Sequence, residues 1–336
     1  MKILIIGGTG LISTGIVKAL EGRGASVTVF NRGRTENLLG GGVARLAGDR
    51  DDFPAFENAM RSSGTWDAVI DMICFRPAQA ESDLRAFAGR CGHFIFCSTV
   101  CTYGNTQAVI PTTEDTPQNP HSAYGRDKLA CERVFLRATA DGALKATIFR
   151  PAHTYGPGGI VINSTGWAAT FVDRLRKGLP VIVSGDGHGL WQSAYSEDVG
   201  VGFAHAAGRD KCVGRAYNIV GGEVVTWDEY TRRTAAAIGA PEPRIVHLPT
   251  DFLLSVDPVR YAPLAEILRF HAVYSNARIN GDIPEYVPAM PYAEGVRRTV
   301  AWMDRRGTIA DAGSDPADDR TIGAWERFSA GAGAGS

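Results

Sequence analysis

The sequence has 336 residues, of which 44% are hydrophobic and 21% are charged, and its formal net charge is −1. This balance gives no electrostatic reason to expect a nucleic acid or an anionic membrane as partner. No apolar run reaches the roughly 18 to 20 residues of a membrane span, and the six cysteines lack zinc-type spacing. We therefore expect a cytoplasmic protein with reduced thiols, no metal ion, no nucleic acid partner and no membrane partner.

A strand, a glycine turn, a helix and a second strand are predicted in turn at the N-terminus. The apolar run KILII (2–6) starts directly on a strand rather than on a signal peptide, GGTGLIS follows, and SVTVF (26–30) is the second strand. Within about 30 residues this is the βαβ unit that binds a dinucleotide at the helix N-terminus. A serine replaces the third glycine of the usual pattern. The loop residues expected to contact the cofactor are Gly7, Thr9, Gly10, Leu11 and Ile12.

The end of the second strand distinguishes NAD from NADP. An acidic residue there would bind the ribose 2′-hydroxyl and repel a 2′-phosphate. This sequence has Asn31, Arg32, Gly33 and Arg34 instead, and guanidinium groups bind phosphate well. NADP is therefore favoured over NAD. The alternative is that Arg32 stacks on the adenine while Asn31 bonds the ribose, as NAD would allow.

Three more strands are predicted before residue 100. In GDRDD (48–52), Asp49 follows a short strand, where its carboxylate could accept the adenine amino group, and Arg50 lies beside it. A fourth strand in WDAVIDMICF (66–75) places Met72 on the nicotinamide side. A fifth, HFIFC (93–97), runs into Ser98 and Thr99.

Tyr124 and Lys128 are four residues apart in the helical stretch HSAYGRDKLA (121–130), so they share one helical face. A neighbouring cation lowers the pKa of a phenol and suits it to proton exchange. The motif alone is weak, because a Tyr-x-x-x-Lys match also arises by chance.

Together, GGTGLIS, GDRDD, STVCTYG, YGRDK and RPAHTYGPG resemble the extended short-chain dehydrogenases/reductases of the sugar epimerase/dehydratase type, up to about residue 306. The resemblance implies an α/β fold: a Rossmann-type doubly wound parallel sheet with a smaller C-terminal α/β substrate domain. We expect the NAD(P)-binding domain at 1–155, with later strands from about 180–220. Residues 156–306 should form mainly the substrate domain, and 307–336 a partly disordered tail.

The resemblance also implies a homodimer built from two helices per subunit. The matching segments are QAESDLRAFAG (79–89) and SAYGRDKLACERVFLRA (122–138). Apolar positions of that interface would include Leu129, Val134, Phe135 and Leu136.

The resemblance assigns catalytic roles. Tyr124 would be the general base that removes a hydroxyl proton as hydride leaves, and Lys128 would bond the nicotinamide ribose and lower the pKa of the tyrosine. Thr99 would hydrogen-bond the same substrate oxygen. Ser98 is a weaker candidate for this role, because a structural hydroxyl at the end of the strand is the simpler interpretation. Residues expected to flank the cofactor carboxamide and the substrate are Pro151 and His153.

Departures from the family pattern reduce the number of reactions that this chain could catalyse. The 4,6-dehydratases carry Thr-Asp-Glu where this chain has Thr99, Val100 and Cys101, so that dehydration lacks its acid and base. Cys101 matches the acid/base cysteine of 3,5-epimerases, but the second acid/base after the Tyr-Gly-Pro segment has no match. The alternative for Cys101 is a small buried residue.

The second half departs from nucleotide-sugar epimerases as well. In GDGHGLWQSAYSEDV (185–199), Trp191 and Gln192 replace the Arg-Asp pair that grips a diphosphate. Trp191 could stack on a sugar ring or a base, or pack between domains, and Arg278 lies near the position where such enzymes have a second phosphate-binding arginine. The candidate substrate contacts are Ser98, His153, Asn163, Trp191, Tyr195 and Arg278.

Three functions follow. The first is an NAD(P)-dependent epimerase of a sugar or nucleotide sugar, working by transient hydride transfer and a keto intermediate. The second is an NADP-dependent dehydrogenase/reductase of a sugar, aminocyclitol or polyol. The third is a non-catalytic nucleotide sensor or RNA binder, against which the retention of Thr99, Tyr124 and Lys128 argues.

Overall fold

The structure is a computed structural model that describes residues 1–34, 39, 42–104 and 109–333, with side chains up to residue 330. Within this part of the chain, no helix combines the length and hydrophobicity needed to cross a bilayer. The strands are β1 (Lys2–Ile6), β2 (Ser26–Asn31), β3 (Ala44–Ala47), β4 (Ala68–Asp71), β5 (Phe94–Cys97), β6 (Ala146–Pro151), β7 (Thr154–Tyr155), β8 (Val181–Ser184), β9 (Leu190–Trp191), β10 (Ala194–Tyr195), β11 (Ala216–Ile219), β12 (Val225–Thr226) and β13 (Ile245–Leu248). The α-helices are α1 (Leu11–Gly22), α2 (Phe53–Ser62), α3 (Pro77–Phe87), α4 (Ala123–Ala140), α5 (Phe171–Arg176), α6 (Ser196–Ala206), α7 (Trp227–Ala237), α8 (Thr250–Val256), α9 (Ala277–Asp282), α10 (Tyr292–Arg306) and α11 (Ala317–Gly333).

The chain forms two compact units. The first unit contains Met1–Thr154, Ala194–Gly222 and Tyr274–Ala289, and the second contains the intervening segments and the chain from Met290 on. The first boundary agrees with the expected one to within a residue, and Ala194–Gly222 overlaps the later strands expected from about 180–220, but no boundary falls at 306. Tyr274–Ala289 returns to the first unit, where the Tyr286 hydroxyl donates to the Val220 carbonyl at 2.7 Å.

Two segments of the second unit also differ from expectation. Strand β8, expected among the later strands of the first domain, pairs in parallel with β13 instead. The C-terminal segment, expected to be partly disordered, contains the helix α11. Arg174 anchors this helix by a hydrogen bond to Asp319 at 3.1 Å, and Tyr261 bonds Thr321 at 3.2 Å.

The first unit is built on a seven-stranded sheet of order β11-β6-β5-β4-β1-β2-β3. Each neighbouring pair is parallel. Parallel strands joined by crossover helices need apolar cover on both faces, and alternate residues of β1 supply it. Ile3 and Ile5 join a core cluster with α1 and α6, whereas Leu4 and Ile6 join one with α2, α3 and α4. The Rossmann-type doubly wound fold is confirmed.

Helices α1 and α6 touch through their backbones at two glycines. A Cβ added to Gly15 would lie 2.8 Å from the Ser196 carbonyl carbon, and one added to Gly200 would lie 2.6 Å from the Ile16 nitrogen. Only glycine fits such a contact without moving one helix. This crossing holds α1, and therefore the loop that precedes it, against the sheet.

Phe135, expected on the dimer face, belongs to the core of the first unit. Its ring centroid lies 4.9 Å from that of Phe94 and 5.0 Å from that of Phe96. Leu129 is also only 6% exposed. Neither side chain can therefore contribute much surface to a partner.

His93 should make stability depend on pH. Its Nδ1 accepts from the Gly208 N–H at 3.2 Å, its Nε2 lies 2.8 Å from the Thr147 hydroxyl, and burial lowers its pKa to about 4. Between pH 6.5 and 4 this histidine is protonated in the unfolded chain but neutral in the folded chain. The free energy of unfolding is therefore highest above pH 6.5 and falls as the pH drops. We expect a loss of about 2 kcal/mol from this group between pH 7 and pH 5.

Urea unfolding of wild type and His93→Gln at pH 7 and pH 5 checks this expectation. The variant should lose less stability than wild type on acidification, whatever its absolute stability. His188→Gln, at an exposed histidine, serves as the control. Equal pH slopes for wild type and His93→Gln would contradict the assignment.

Candidate active site

The loop between β1 and α1 has a conformation and packing that require glycine. Gly7 and Gly8 have positive φ angles of 107° and 85°, and a Cβ on Gly8 would lie 2.7 Å from the Cβ of Val29. At Gly10, which precedes α1, an added Cβ would meet only the Ser13 hydroxyl, at 3.9 Å. Among the described residues no side chain caps this helix. Its N-terminal N–H groups are therefore suited to an anion such as a pyrophosphate.

Asn31 connects this loop to the arginine turn that follows β2. Its Nδ2 donates to the Gly7 carbonyl at 3.0 Å, and its Oδ1 accepts from the Gly33 N–H at 3.0 Å. The amide expected to bond a ribose is thus already engaged in holding the loop. Arg32 and Arg34 are exposed.

Met72 lies against the same loop, as expected for a cofactor contact. A Cβ on Gly7 would lie 3.5 Å from the Met72 Cβ and 3.2 Å from Ile73. Asp49 is exposed after β3, and its Oδ1 accepts from the Asp51 N–H at 3.0 Å. Its expected contact with adenine stays a prediction.

Arg50, expected to contact the cofactor, is buried in the first unit. It is only 4% exposed, and its Nη2 lies 2.6 Å from Asp83 and 3.1 Å from Asp71. Burial and the nearby Asp71 carboxylate raise the pKa of Asp83. We therefore correct the assignment: Arg50 pairs with two buried acids, one at the end of β4 and one on α3.

Helix α4 places Tyr124 and Lys128 on successive turns. The helix begins after Ser122, whose hydroxyl accepts from the Gly125 N–H at 3.0 Å. Lys128 is 1% exposed, and its Nζ donates to the carbonyls of Cys74 at 2.9 Å and Cys97 at 2.7 Å. The ammonium is thereby fixed beside the carboxyl ends of β4 and β5.

Tyr124 lies next to Thr99 and Cys101. Although 45% of its surface is exposed, burial raises the pKa of its phenol, as do nearby Cys97 and Cys101, and a hydrogen bond with Thr99 lowers it. The net direction is upward, opposite to the lowering expected from Lys128. The reason is that burial outweighs the Lys128 ammonium, which lies 5.9 Å from the ring centroid and donates to two carbonyls.

Thr99 and Cys101 are held by a short 3-10 turn, Val100–Tyr103. The Thr99 hydroxyl accepts from the Cys101 N–H at 3.2 Å, which directs this side chain into the turn. Cys101 also raises the pKa of Tyr274, second to burial. The thiol is therefore near enough to both Tyr124 and Tyr274 to affect the pKa of each phenol.

Glu132, which sequence reasoning missed, organises a buried polar network. It accepts from Ser98, from Arg150 Nε at 3.0 Å and from Arg150 Nη2 at 2.6 Å. Arg150 also donates to Tyr103, whose hydroxyl donates to Asn218 at 2.7 Å. Ser98 is thus a structural residue rather than a substrate contact. The available signal was the i, i+4, i+8 spacing of Tyr124, Lys128 and Glu132.

Pro151 is the last residue of β6, and His153 follows two residues later. Pro151 is buried opposite Ile219 of β11. Burial lowers the pKa of His153 to about 4, so its imidazole is neutral at pH 7, and its carbonyl accepts from the Ala194 N–H at 2.8 Å. His153 therefore offers hydrogen bonds rather than a positive charge.

Arg278, expected to bind phosphate, has carboxylate partners. Its Nη2 lies 2.6 Å from Asp115, and its Nε lies 3.7 Å from Glu114. Two acids beside one guanidinium make a poor diphosphate site, because the anion would have to displace them.

Of the remaining candidates, two lie in the second unit and are engaged there. Trp191 is 3% exposed and stacks on Trp227, with ring centroids 4.7 Å apart. This contradicts a role in stacking on substrate. The Asn163 Oδ1 accepts from Thr165 and Gly166 and so builds a turn. Tyr195, in the first unit, is 2% exposed.

The chain belongs to the NAD dependent epimerase/dehydratase family, whose sequence model matches residues 3–220. It is 28% identical to the 2′-dehydrokanamycin reductase of Streptomyces kanamyceticus, over 93% of this chain and 87% of that protein. It is 29% identical to the chloroplast stem-loop binding protein of 41 kDa b of Arabidopsis thaliana, over 96% of this chain and 84% of that protein.

Two solved structures show the same fold. UDP-glucose 4-epimerase from Thermotoga maritima, solved with UDP-glucose, has a TM-score of 0.71 at 22% identity, covering 91% of this chain and 99% of that chain. dTDP-glucose 4,6-dehydratase from Bacillus anthracis, solved with NAD, also has a TM-score of 0.71, at 16% identity, covering 91% of this chain and 97% of that chain. The chain is an NAD(P)-dependent enzyme of this family.

Gly8→Ala should destabilise the first unit and weaken dinucleotide binding. We expect a cost of about 2 to 4 kcal/mol, because the positive φ and the overlap with Val29 both oppose a side chain. Gly24→Ala is the matched control: its φ is also positive, at 70°, but nothing lies within 4 Å of the added Cβ. Urea unfolding and dinucleotide titration measure both variants. Equal losses in the two would show that the contact with Val29 carries no cost.

Proposed function

We propose that the chain is an NADP-dependent reductase that acts on a ketone of a sugar, aminocyclitol or other polyol without a diphosphate group. The observation that carries the chemistry is the placement of the Tyr124 phenol close to Thr99, one helical turn from the buried Lys128 ammonium. The loop at Gly7–Gly10 supports the proposal of a dinucleotide cofactor, and the arginine turn after Asn31 supports the choice of NADP.

A bound reduced nicotinamide supplies a hydride to the carbonyl carbon of a ketone. In our proposal Tyr124 donates its phenolic proton to the carbonyl oxygen, and Thr99 donates a hydrogen bond to the same oxygen. A phenol whose pKa lies above its usual range keeps its proton at neutral pH, which is the form that reduction requires. The positive charge of Lys128 favours the phenolate that is left behind.

The substrate class follows from what holds the expected phosphate-binding positions. Arg278 is paired with Asp115, and Trp191 is buried against Trp227. The guanidinium of Arg278 is already paired, and the tryptophan at position 191 carries no charge, so neither position offers a free cation to a nucleotide diphosphate. The name of the 28% identical relative, 2′-dehydrokanamycin reductase, is in keeping with a ketone substrate of this kind.

An epimerase of a sugar or nucleotide sugar is the second candidate, favoured by Cys101. Its thiol lies near Tyr124, where it could exchange a proton at the carbon next to a transient ketone. An epimerase returns its hydride to the substrate and retains the cofactor, whereas a reductase must exchange it.

We also propose a cytoplasmic homodimer. Val134 and Leu136, half-buried on α4, are the expected apolar contacts that stay available.

Tyr124→Phe should lower the rate of NADPH-dependent ketone reduction by about 10²- to 10⁴-fold, because the proton donor is lost. NADPH binding should be unchanged. Tyr286→Phe is the control, since it removes a hydroxyl that bonds the Val220 carbonyl in the same unit. Stopped-flow NADPH oxidation with a panel of keto sugars and keto aminocyclitols measures the effect. Full activity of Tyr124→Phe would refute the proton-donor role.

Cofactor release separates the reductase from the epimerase. We expect purified protein, once denatured, to release little dinucleotide, and the refolded or unloaded protein to bind NADPH reversibly. We further expect Cys101→Ala to retain reduction. Stoichiometric oxidised cofactor in the purified protein, together with loss of activity in Cys101→Ala, would favour the epimerase.

A further inference from the structure

Arg45 of β3 lies beside the arginine turn that follows β2, although it belongs to the next strand. Strands β2 and β3 pair in parallel, with Val29 opposite Arg45 and Asn31 opposite Ala47. From there the Arg45 side chain reaches forward to Gly33. A Cβ added to Gly33 would overlap the Arg45 guanidinium and lie 2.8 Å from its Nη1.

Gly33 therefore makes room for the guanidinium of Arg45. Its φ of 68° is in the region that favours glycine, and the space that a side chain would fill is taken by Arg45. Arg32 and Arg34 flank this glycine in the chain, and all three arginines are exposed. The turn thus gathers three positive charges around one residue.

Among the described residues, none of these three arginines has an ion-pair partner. Like charges held together repel each other, and a bound anion relieves that repulsion. The cluster also lies at the end of β2, where a Rossmann fold places the adenosine ribose of its cofactor. Asn31, which would otherwise bond that ribose, is engaged with Gly7 and Gly33.

We infer that Arg45 is a specificity-determining residue that binds the 2′-phosphate of NADP together with Arg32 and Arg34. The inference rests on the proposed NADP dependence and adds a residue from a different strand. A guanidinium forms charge-assisted hydrogen bonds to a phosphate, and NAD offers only a neutral hydroxyl at the same carbon. The contribution of Arg45 should therefore be confined to NADP.

The test compares binding of NADPH and NADH to the full chain by fluorescence titration. Arg45→Ala should raise the Kd for NADPH by about 10- to 100-fold, the loss of one charge-assisted contact, and leave the Kd for NADH unchanged. Arg137→Ala removes the same charge from an exposed site at the C-terminal end of α4, and it should change neither Kd. Adenosine 2′,5′-bisphosphate against AMP repeats the comparison without the nicotinamide.

Gly33→Ala provides a second, independent route. Its added Cβ should displace Arg45, so Arg45→Ala should have little further effect on NADPH binding in that background. An Arg45→Ala protein that keeps the wild-type preference for NADPH would overturn the inference and leave the proposed reductase intact. A wild-type protein that binds both dinucleotides equally, or neither, would overturn the NADP proposal itself.

Discussion

The buried ammonium of Lys128 is the constraint on which the site depends. A charge removed from water must be compensated, and the carbonyls of Cys74 and Cys97 compensate it from the ends of two neighbouring strands. Both acceptors are backbone atoms, one at the end of β5 and one in the loop after β4, and together they fix the register in which α4 docks. That register places Tyr124 one turn earlier, where its hydroxyl meets Thr99.

The same helix carries a second buried charge, which is balanced differently. Glu132 forms a paired contact with Arg150 of β6 and accepts from Ser98, the residue before Thr99. This pair is neutral as a whole, whereas Lys128 has no carboxylate partner among the described residues. One net positive charge therefore stays near the phenol, where it favours the phenolate against the larger, opposing effect of burial.

Local patterns could be predicted from the sequence, and long-range pairings could not. The run KILII, the glycine turn and the Tyr-x-x-x-Lys spacing each depend on neighbours in the chain, and the structure has the expected elements there. Arg50 was misassigned because a charged residue is exposed by default, and its partners Asp71 and Asp83 come from two other elements. No sequence pattern pointed to Arg45, because its contact with Gly33 depends only on the pairing of β2 with β3.

The exposure of the arginine turn has a consequence for the choice between the two candidate reactions. Exposed charges bind a phosphate through contacts that water and salt can reach and screen. A cofactor held partly by such contacts exchanges with solution more readily than one enclosed in a buried site. A net reduction needs this exchange, because each turnover consumes one reduced dinucleotide. An epimerase regenerates its cofactor in every turnover and does not need the exchange. The position of the arginines and the neutralised Arg278 therefore favour the same chemistry.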